Sequence, residues 1–142
     1  MKKYKIGYTQ GTFDMFHVGH LNLIKQAKEQ CQKLVVGVNS DILVKQYKNK
    51  IPVINDQNRA KIVEALRYVD KVIICDSLDK CKTWSIIHFD AIFIGDDWKG
   101  HKRWTQTEKD LKVLGAKVVY LKHTDGISST ILRPKIKDEV QE

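Results

Sequence analysis

Hydrophobic segments of strand length alternate with amphipathic stretches along the chain, and no other feature restricts the fold as tightly. Tyr4 to Tyr8, with Ile6 at its centre, alternates as a short strand does. Residues 33–38, carrying Leu34, Val35 and Val36, read as a buried strand, and residues 71–75, 91–94 and 117–121 repeat the pattern. Between them, Leu21, Leu23, Ile24 and Ala27 fall at helical spacing, as do Ile62, Val63, Leu66 and Val69. Asn55 or Asp56 can cap the second of these helices. Further helices are predicted over 79–88 and 105–114, the latter stopped by Gly115. A short one follows from Ser128, with Pro134 disturbing its middle. Residues 39–50 read as a polar, lysine-containing loop. Such alternation implies a parallel α/β sheet covered on both faces. The 142 residues suit one domain over the full length, 1–142. In a sheet of this kind the ligand lies beyond the carboxyl ends of the strands.

The turn after the first strand is Gly11-Thr12-Phe13-Asp14-Met15-Phe16-His17-Val18-Gly19-His20. Its histidines lie three apart at the start of a helix, where free N–H groups and the positive dipole end suit an anion. Imidazoles add donors aimed at the same place, and Gly19 lets a bulky group lie against the backbone. The pattern reads as a phosphate site built from imidazoles in place of a glycine-rich loop. Surface histidines and half of a metal site are the competing readings. Metal is disfavoured: no cysteine or third histidine is near in sequence, and the Glu of a His-Glu-x-x-His zinc helix is missing.

The formal net charge is +8, with a pI near 9.4. That balance favours anionic partners, whether nucleic acid, a membrane surface or phosphorylated small molecules. No aromatic–basic nucleic-acid motif or zinc finger appears. No apolar run approaches a membrane span and no signal-peptide pattern opens the chain, so a cytoplasmic location is expected. Cys31, Cys75 and Cys81 are odd in number and form no Cys-x-x-Cys pair, which argues against a disulfide framework. The basic residues are dispersed, apart from a cluster at Lys45, Lys48 and Lys50.

Together with Arg67-Tyr68-Val69-Asp70, Gly95-Asp96-Asp97-Trp98 and Thr124-Asp125-Gly126-Ile127-Ser128-Ser129-Thr130, the histidine turn resembles the cytidylyltransferase group of nucleotidyltransferases, over nearly the whole chain. Gly95 to Trp98 points more specifically to the glycerol-phosphate branch. The resemblance implies a Rossmann-like, doubly wound sheet of five parallel strands in the order 3-2-1-4-5, usually in a homodimer. It implies transfer of CMP from CTP to sn-glycerol 3-phosphate, giving CDP-glycerol for a cell-surface polymer. Mg²⁺ would arrive with CTP, with no resident metal and no nucleic-acid or membrane partner.

The same resemblance assigns roles. His17 and His20 bind the triphosphate and stabilise the charge that develops on it. Lys48 and Lys50 reach the phosphates, with Lys45 as the alternative because the loop differs in length by one residue. Gly11, Thr12, Phe13 and Gly19 line the nucleotide pocket. Asp14 holds the metal or orients a histidine, or else is a structural cap. Arg59 and Arg67 contact the acceptor or a phosphate; Arg67 has a second reading as an ion-pair partner of Asp70. Asp96 is placed at the nucleotide and Asp97 and Trp98 at the acceptor. These carboxylates fit either Mg²⁺ or the cytosine amino group, and Trp98 either stacks or packs. Thr124, Gly126, Ser128, Ser129 and Thr130 hold the β- and γ-phosphates. His123 stands where the family has arginine, which leaves that contact open.

A phosphate dianion is already nucleophilic near neutral pH, so this chemistry needs positioning and charge stabilisation and no general base. The rivals are the same transfer to phosphocholine, phosphoethanolamine or a sugar phosphate, ATP in place of CTP, and a basic nucleic-acid-binding domain without catalysis.

Overall fold

The computed structural model describes residues 2–122. In chain order these form β1 (Tyr4–Gly11), α1 (Val18–Gln30), β2 (Cys31–Asn39), α2 (Asp41–Lys48), α3 (Asp56–Glu64), β3 (Lys71–Cys75), α4 (Lys80–Ile87), β4 (Ala91–Gly95), a 3₁₀ turn (Asp96–Trp98), α5 (Lys102–Val113) and β5 (Lys117–Leu121). The five strands make one sheet in the order β3-β2-β1-β4-β5, and every pairing is parallel. The α/β class and the expected strand order both hold.

β1 and β2 lie inside the sheet, and β2 shows the unbroken apolar run of a strand covered on both faces, while β1 is buried only at Gly7, Tyr8 and Thr9. Leu34 to Asn39 is buried without interruption. On one face Ile24 and Ala27 of α1 and Val63 of α3 pack with Val36, Val38 and Phe93. On the other, Trp104 and Leu111 of α5 pack with Tyr8, Val35 and Ile92, and Cys81 and Trp84 of α4 join them. Each fully buried side chain of this size contributes about 1.5–3 kcal/mol. That burial, more than helix propensity, holds helices as short as α2 and α4. Gly37 is a position where size decides the packing. A Cβ there would overlap the Tyr8 hydroxyl and lie 2.7 Å from Cys75 Sγ.

The chain leaves β1 toward β2 and later crosses back to β4 on the other side of β1. The reversal opens a crevice between the loops after β1 and β4, where ligands of such sheets bind.

Three sequence expectations need correction. Residues 39–50 are not all loop: α2 occupies Asp41–Lys48, capped by Ser40, whose hydroxyl accepts from Leu43 N–H at 3.1 Å. The second predicted helix ends early, at Glu64. Leu66 and Val69 reach the core through turns that close on Val63 and Leu66 carbonyls. α5 begins at Lys102, before the predicted start at Thr105. Among the described residues no helix is long and apolar enough to cross a membrane.

Candidate active site

The turn between β1 and α1 is backbone-strained. Phe13 and Met15 adopt left-handed conformations at φ 53° and 50°, which cost non-glycine residues about 1–3 kcal/mol each. Buried polar groups hold it. Asp14 is 2 % exposed, and its carboxylate accepts from Val53 N–H at 2.8 Å and Ile54 N–H at 2.9 Å. Arg59 is 1 % exposed. Its Nη1 donates to the Thr12 and Asn39 carbonyls, both at 2.7 Å, and its Nε donates to the Ile54 carbonyl at 2.8 Å. Nη2 pairs with Asp41. The expectation that Arg59 touches the acceptor is therefore corrected: its guanidinium is spent inside the protein, tying the ends of β1 and β2 together. Both Asp14 oxygens fasten the 53–54 segment to the turn, and its charge also acts on His20.

The two histidines make a reciprocal cap on α1. His17 is the N-cap, and its Nδ1 accepts from Gly19 N–H at 3.0 Å. His20 Nδ1 reaches back to accept from His17 N–H at 3.3 Å. This is the geometry of a capping box, with imidazoles in place of the usual hydroxyl and carboxylate. An imidazole whose Nδ1 accepts carries its neutral-form proton on Nε2. The rings stack with centroids 3.9 Å apart. Phe13 meets His20 edge-on at 5.5 Å and Phe16 lies 5.2 Å away. Burial in that apolar wall, reinforced by His17 and opposed by Asp14, depresses the His20 pKa to about 4. At neutral pH His20 is an uncharged Nε2–H donor.

α2 flanks the turn. Its last turn carries Lys45 and Lys48, where the helix dipole favours cations, and Lys50 follows. All three are exposed. Tyr47 joins this helix to the turn: its hydroxyl lies 3.2 Å from Thr12 Oγ1 and accepts from Asn39 Nδ2 at 3.2 Å. Neither Tyr47 nor Asn39 belongs to a sequence motif, and only the fold brings them to Thr12.

Beyond β4, Asp96, Asp97 and Trp98 form the exposed 3₁₀ turn at the other side of the crevice. The Trp98 ring is approached by His101 at 5.0 Å and by the Arg103 guanidinium at 5.6 Å, so at least part of it is engaged in packing. A residue that sequence reasoning missed is Lys80, at the start of α4 and 8 % exposed. Its Nζ donates to the Leu78 carbonyl at 3.0 Å and sits 5.7 Å from the Trp104 ring centroid. Burial, helped by the charge of Arg103, lowers its pKa to about 8. Among the described residues Lys80 makes no ion pair, which is unusual for a buried ammonium.

Arg67 is not brought to this site. It precedes β3, whose first residue Lys71 pairs with Val35, and Asp70 N–H bonds to the Leu34 carbonyl. It therefore sits at the amino edge of the sheet, on the side away from the crevice. It is exposed and donates to Tyr68 Oη at 2.9 Å. Nor does it pair with Asp70, which binds Lys28 at 2.6 Å. His123, Thr124, Gly126, Ser128, Ser129 and Thr130 lie outside the described residues.

Residues 8–135 match the family described as Cytidylyltransferase-like. The chain belongs to that family. It is 37 % identical over 133 residues to the glycerol-3-phosphate cytidylyltransferase of Bacillus subtilis, covering 93 % of this chain and 94 % of that protein. It is 42 % identical over 95 residues to the bifunctional protein HldE of Hyphomonas neptunium, covering 66 % of this chain and only 20 % of that longer protein. Among solved structures, the lipopolysaccharide core biosynthesis protein of Thermoplasma volcanium superposes with a TM-score of 0.75 at 26 % identity, covering 86 % of this chain and 99 % of that one. As a cytidylyltransferase-like protein the chain is a nucleotidyltransferase, and its histidine turn stands at the topological reversal where the fold places a nucleotide. Among the described residues, no cluster of His, Cys, Asp or Glu could hold a metal ion on its own.

Proposed function

We propose that this protein transfers CMP from CTP to sn-glycerol 3-phosphate, making CDP-glycerol and pyrophosphate. The observation that carries the reaction class is the reciprocal histidine cap at the N-terminus of α1, which commits both Nδ1 atoms to the backbone and leaves His20 an uncharged Nε2–H donor. The choice of acceptor rests on the likeness to the Bacillus subtilis protein, which extends over nearly the full length of both chains.

A phosphate oxygen of the acceptor attacks the α-phosphorus. A new P–O bond forms, the bond to the β-phosphate bridge breaks, and pyrophosphate leaves with the electron pair. No proton changes hands. His17 and His20 donate to the oxygens on which charge grows. Lys48 and Lys50 neutralise the phosphates from the end of α2 and from two residues beyond it. Lys80 makes no ion pair among the described residues, and the acceptor phosphate would supply one. Asp96 and Asp97 remain for the cytosine amino group or the glycerol hydroxyls. Mg²⁺, bound to the triphosphate on entry, would add further neutralisation.

Pyrophosphate release, measured for CTP, ATP, GTP and UTP against glycerol 3-phosphate, phosphocholine, phosphoethanolamine and sugar 1-phosphates, tests this directly. CTP with glycerol 3-phosphate is expected to give the highest kcat/KM. A higher value for any other pair would replace the substrate. No release with any pair would overturn the reaction.

A further inference from the structure

Hydrogen bonds run in one direction from the core to α2, through Tyr8, Gln10, Asn39 and Tyr47, to which the reaction assigns no part. Tyr8 is fully buried, and burial, with Cys75 alongside, drives its hydroxyl pKa far above the ordinary tyrosine value. It therefore keeps its proton and donates to Gln10 Oε1 at 2.7 Å. That contact orients the Gln10 amide, whose Nε2 donates to Asn39 Oδ1 at 2.8 Å and to the Ser77 carbonyl at 3.1 Å. Asn39 is thereby oriented in turn, and its Nδ2 donates to Thr12 Oγ1 at 3.4 Å and to Tyr47 Oη at 3.2 Å. Tyr47 and Thr12 are 3.2 Å apart and close a triangle.

Counting protons in that triangle gives a result. Asn39 supplies both of its own. The hydroxyls of Tyr47 and Thr12 hold one each, and their mutual contact uses a single one. One hydroxyl proton, on Tyr47 or on Thr12, is left for a group outside the triangle. Tyr47 also lies directly before Lys48, whose Nζ sits 5.5 Å from the Tyr47 ring centroid. α2 is otherwise held by Leu43 and Val44 in its first turns, while Tyr47 to Lys50 are exposed.

We propose that Tyr47 is a positioning residue: through the Asn39–Thr12 pair it latches the last turn of α2 onto the histidine turn and fixes where Lys48 delivers its charge. The leftover hydroxyl proton can be accepted by a phosphate oxygen of the ligand, while the latch stands without it. This role rests on the nucleotide-transfer reading for its purpose. The latch itself is a property of the protein without ligand.

Two measurements test it, with Tyr47→Phe keeping the ring and removing only the hydroxyl. Without ligand, amide hydrogen exchange at residues 45–49 should quicken about fivefold or more, the order expected for one lost hydrogen bond, while α1 and the central strands stay unchanged. With ligand, the Kd for Mg²⁺–CTP should rise about fivefold in Tyr47→Phe, yet by less than about twofold when Lys48→Ala is already present, since coupled residues are not additive. Independent, multiplying losses would overturn the positioning role. Unchanged exchange at residues 45–49 would overturn the latch. If the wild-type protein binds no CTP at all, the transfer reading falls and the exchange measurement alone decides the latch.

Discussion

His20 shows how placement sets chemistry at a single residue. Buried between aromatic rings, it is pushed to a pKa of about 4. Between that value and the 6.5 of a free imidazole, the unfolded chain takes up a proton that the folded one refuses. The site's contribution to stability is therefore whole above about pH 6.5 and drains away as pH falls toward about 4. Urea midpoints measured at about pH 7 and about pH 4.5 should fall further apart for wild type than for His20→Gln, in which this position no longer titrates. In activity, His20→Ala should lower kcat about a hundredfold or more with a smaller change in CTP affinity, the mark of a donor used in the transition state. A variant with near-normal kcat would take His20 out of the reaction. Lys80 makes a second residue-scale case. A buried ammonium that makes no ion pair among the described residues weakens the fold, so Lys80→Met should raise the urea midpoint at neutral pH while raising the KM for the acceptor. A midpoint that falls would mean that Lys80 is structural.

Among the elements, α2 separates what the sequence tells from what it hides. The strands were legible because burial on both faces forces unbroken apolar runs, as in Leu34-Val35-Val36. The β1–α1 turn was legible because its residues must sit side by side in the chain to cap a helix. α2 was not. Its apolar residues Ile42, Leu43 and Val44 are contiguous, so an eight-residue helix shows no period, and Ser40 looked like the end of a strand when it is the cap of a helix. Arg59 was misjudged for a related reason. Its partners Thr12, Asn39 and Asp41 are far away in sequence, and only the assembled fold shows a guanidinium consumed inside. Ser40→Ala should cost about 1 kcal/mol of stability by loss of the cap, measured by urea unfolding. Arg59→Met should cost more, about 2–3 kcal/mol, because it leaves the Thr12, Asn39 and Ile54 carbonyls without their donor. If Arg59→Met unfolds at the wild-type midpoint, the buried network is not what fixes the turn.

For the molecule as a whole, a net charge of +8 and lysines set around the crevice imply that salt competes with the nucleotide. The KM for CTP should rise with ionic strength, and less steeply in Lys48→Ala; equal slopes would make Lys48 an ordinary surface lysine. The parallel sheet was readable from strand–helix alternation, and its order from the family likeness. Lys80 was not, since no motif marks it and its isolation appears only when α4 and α5 pack together. Arg67 lies at the amino edge, so a single chain does not bring it to the crevice. The paired histidines also bear on direction. Each commits its Nδ1 to the backbone of α1, so neither must gain or lose a proton for the transfer to occur. A protein that ends a turnover in the state in which it began has nothing to reset and imposes no arrow on the exchange. Supplied with CDP-glycerol and pyrophosphate, it should regenerate CTP over the same barrier, leaving net synthesis to whatever drains pyrophosphate away.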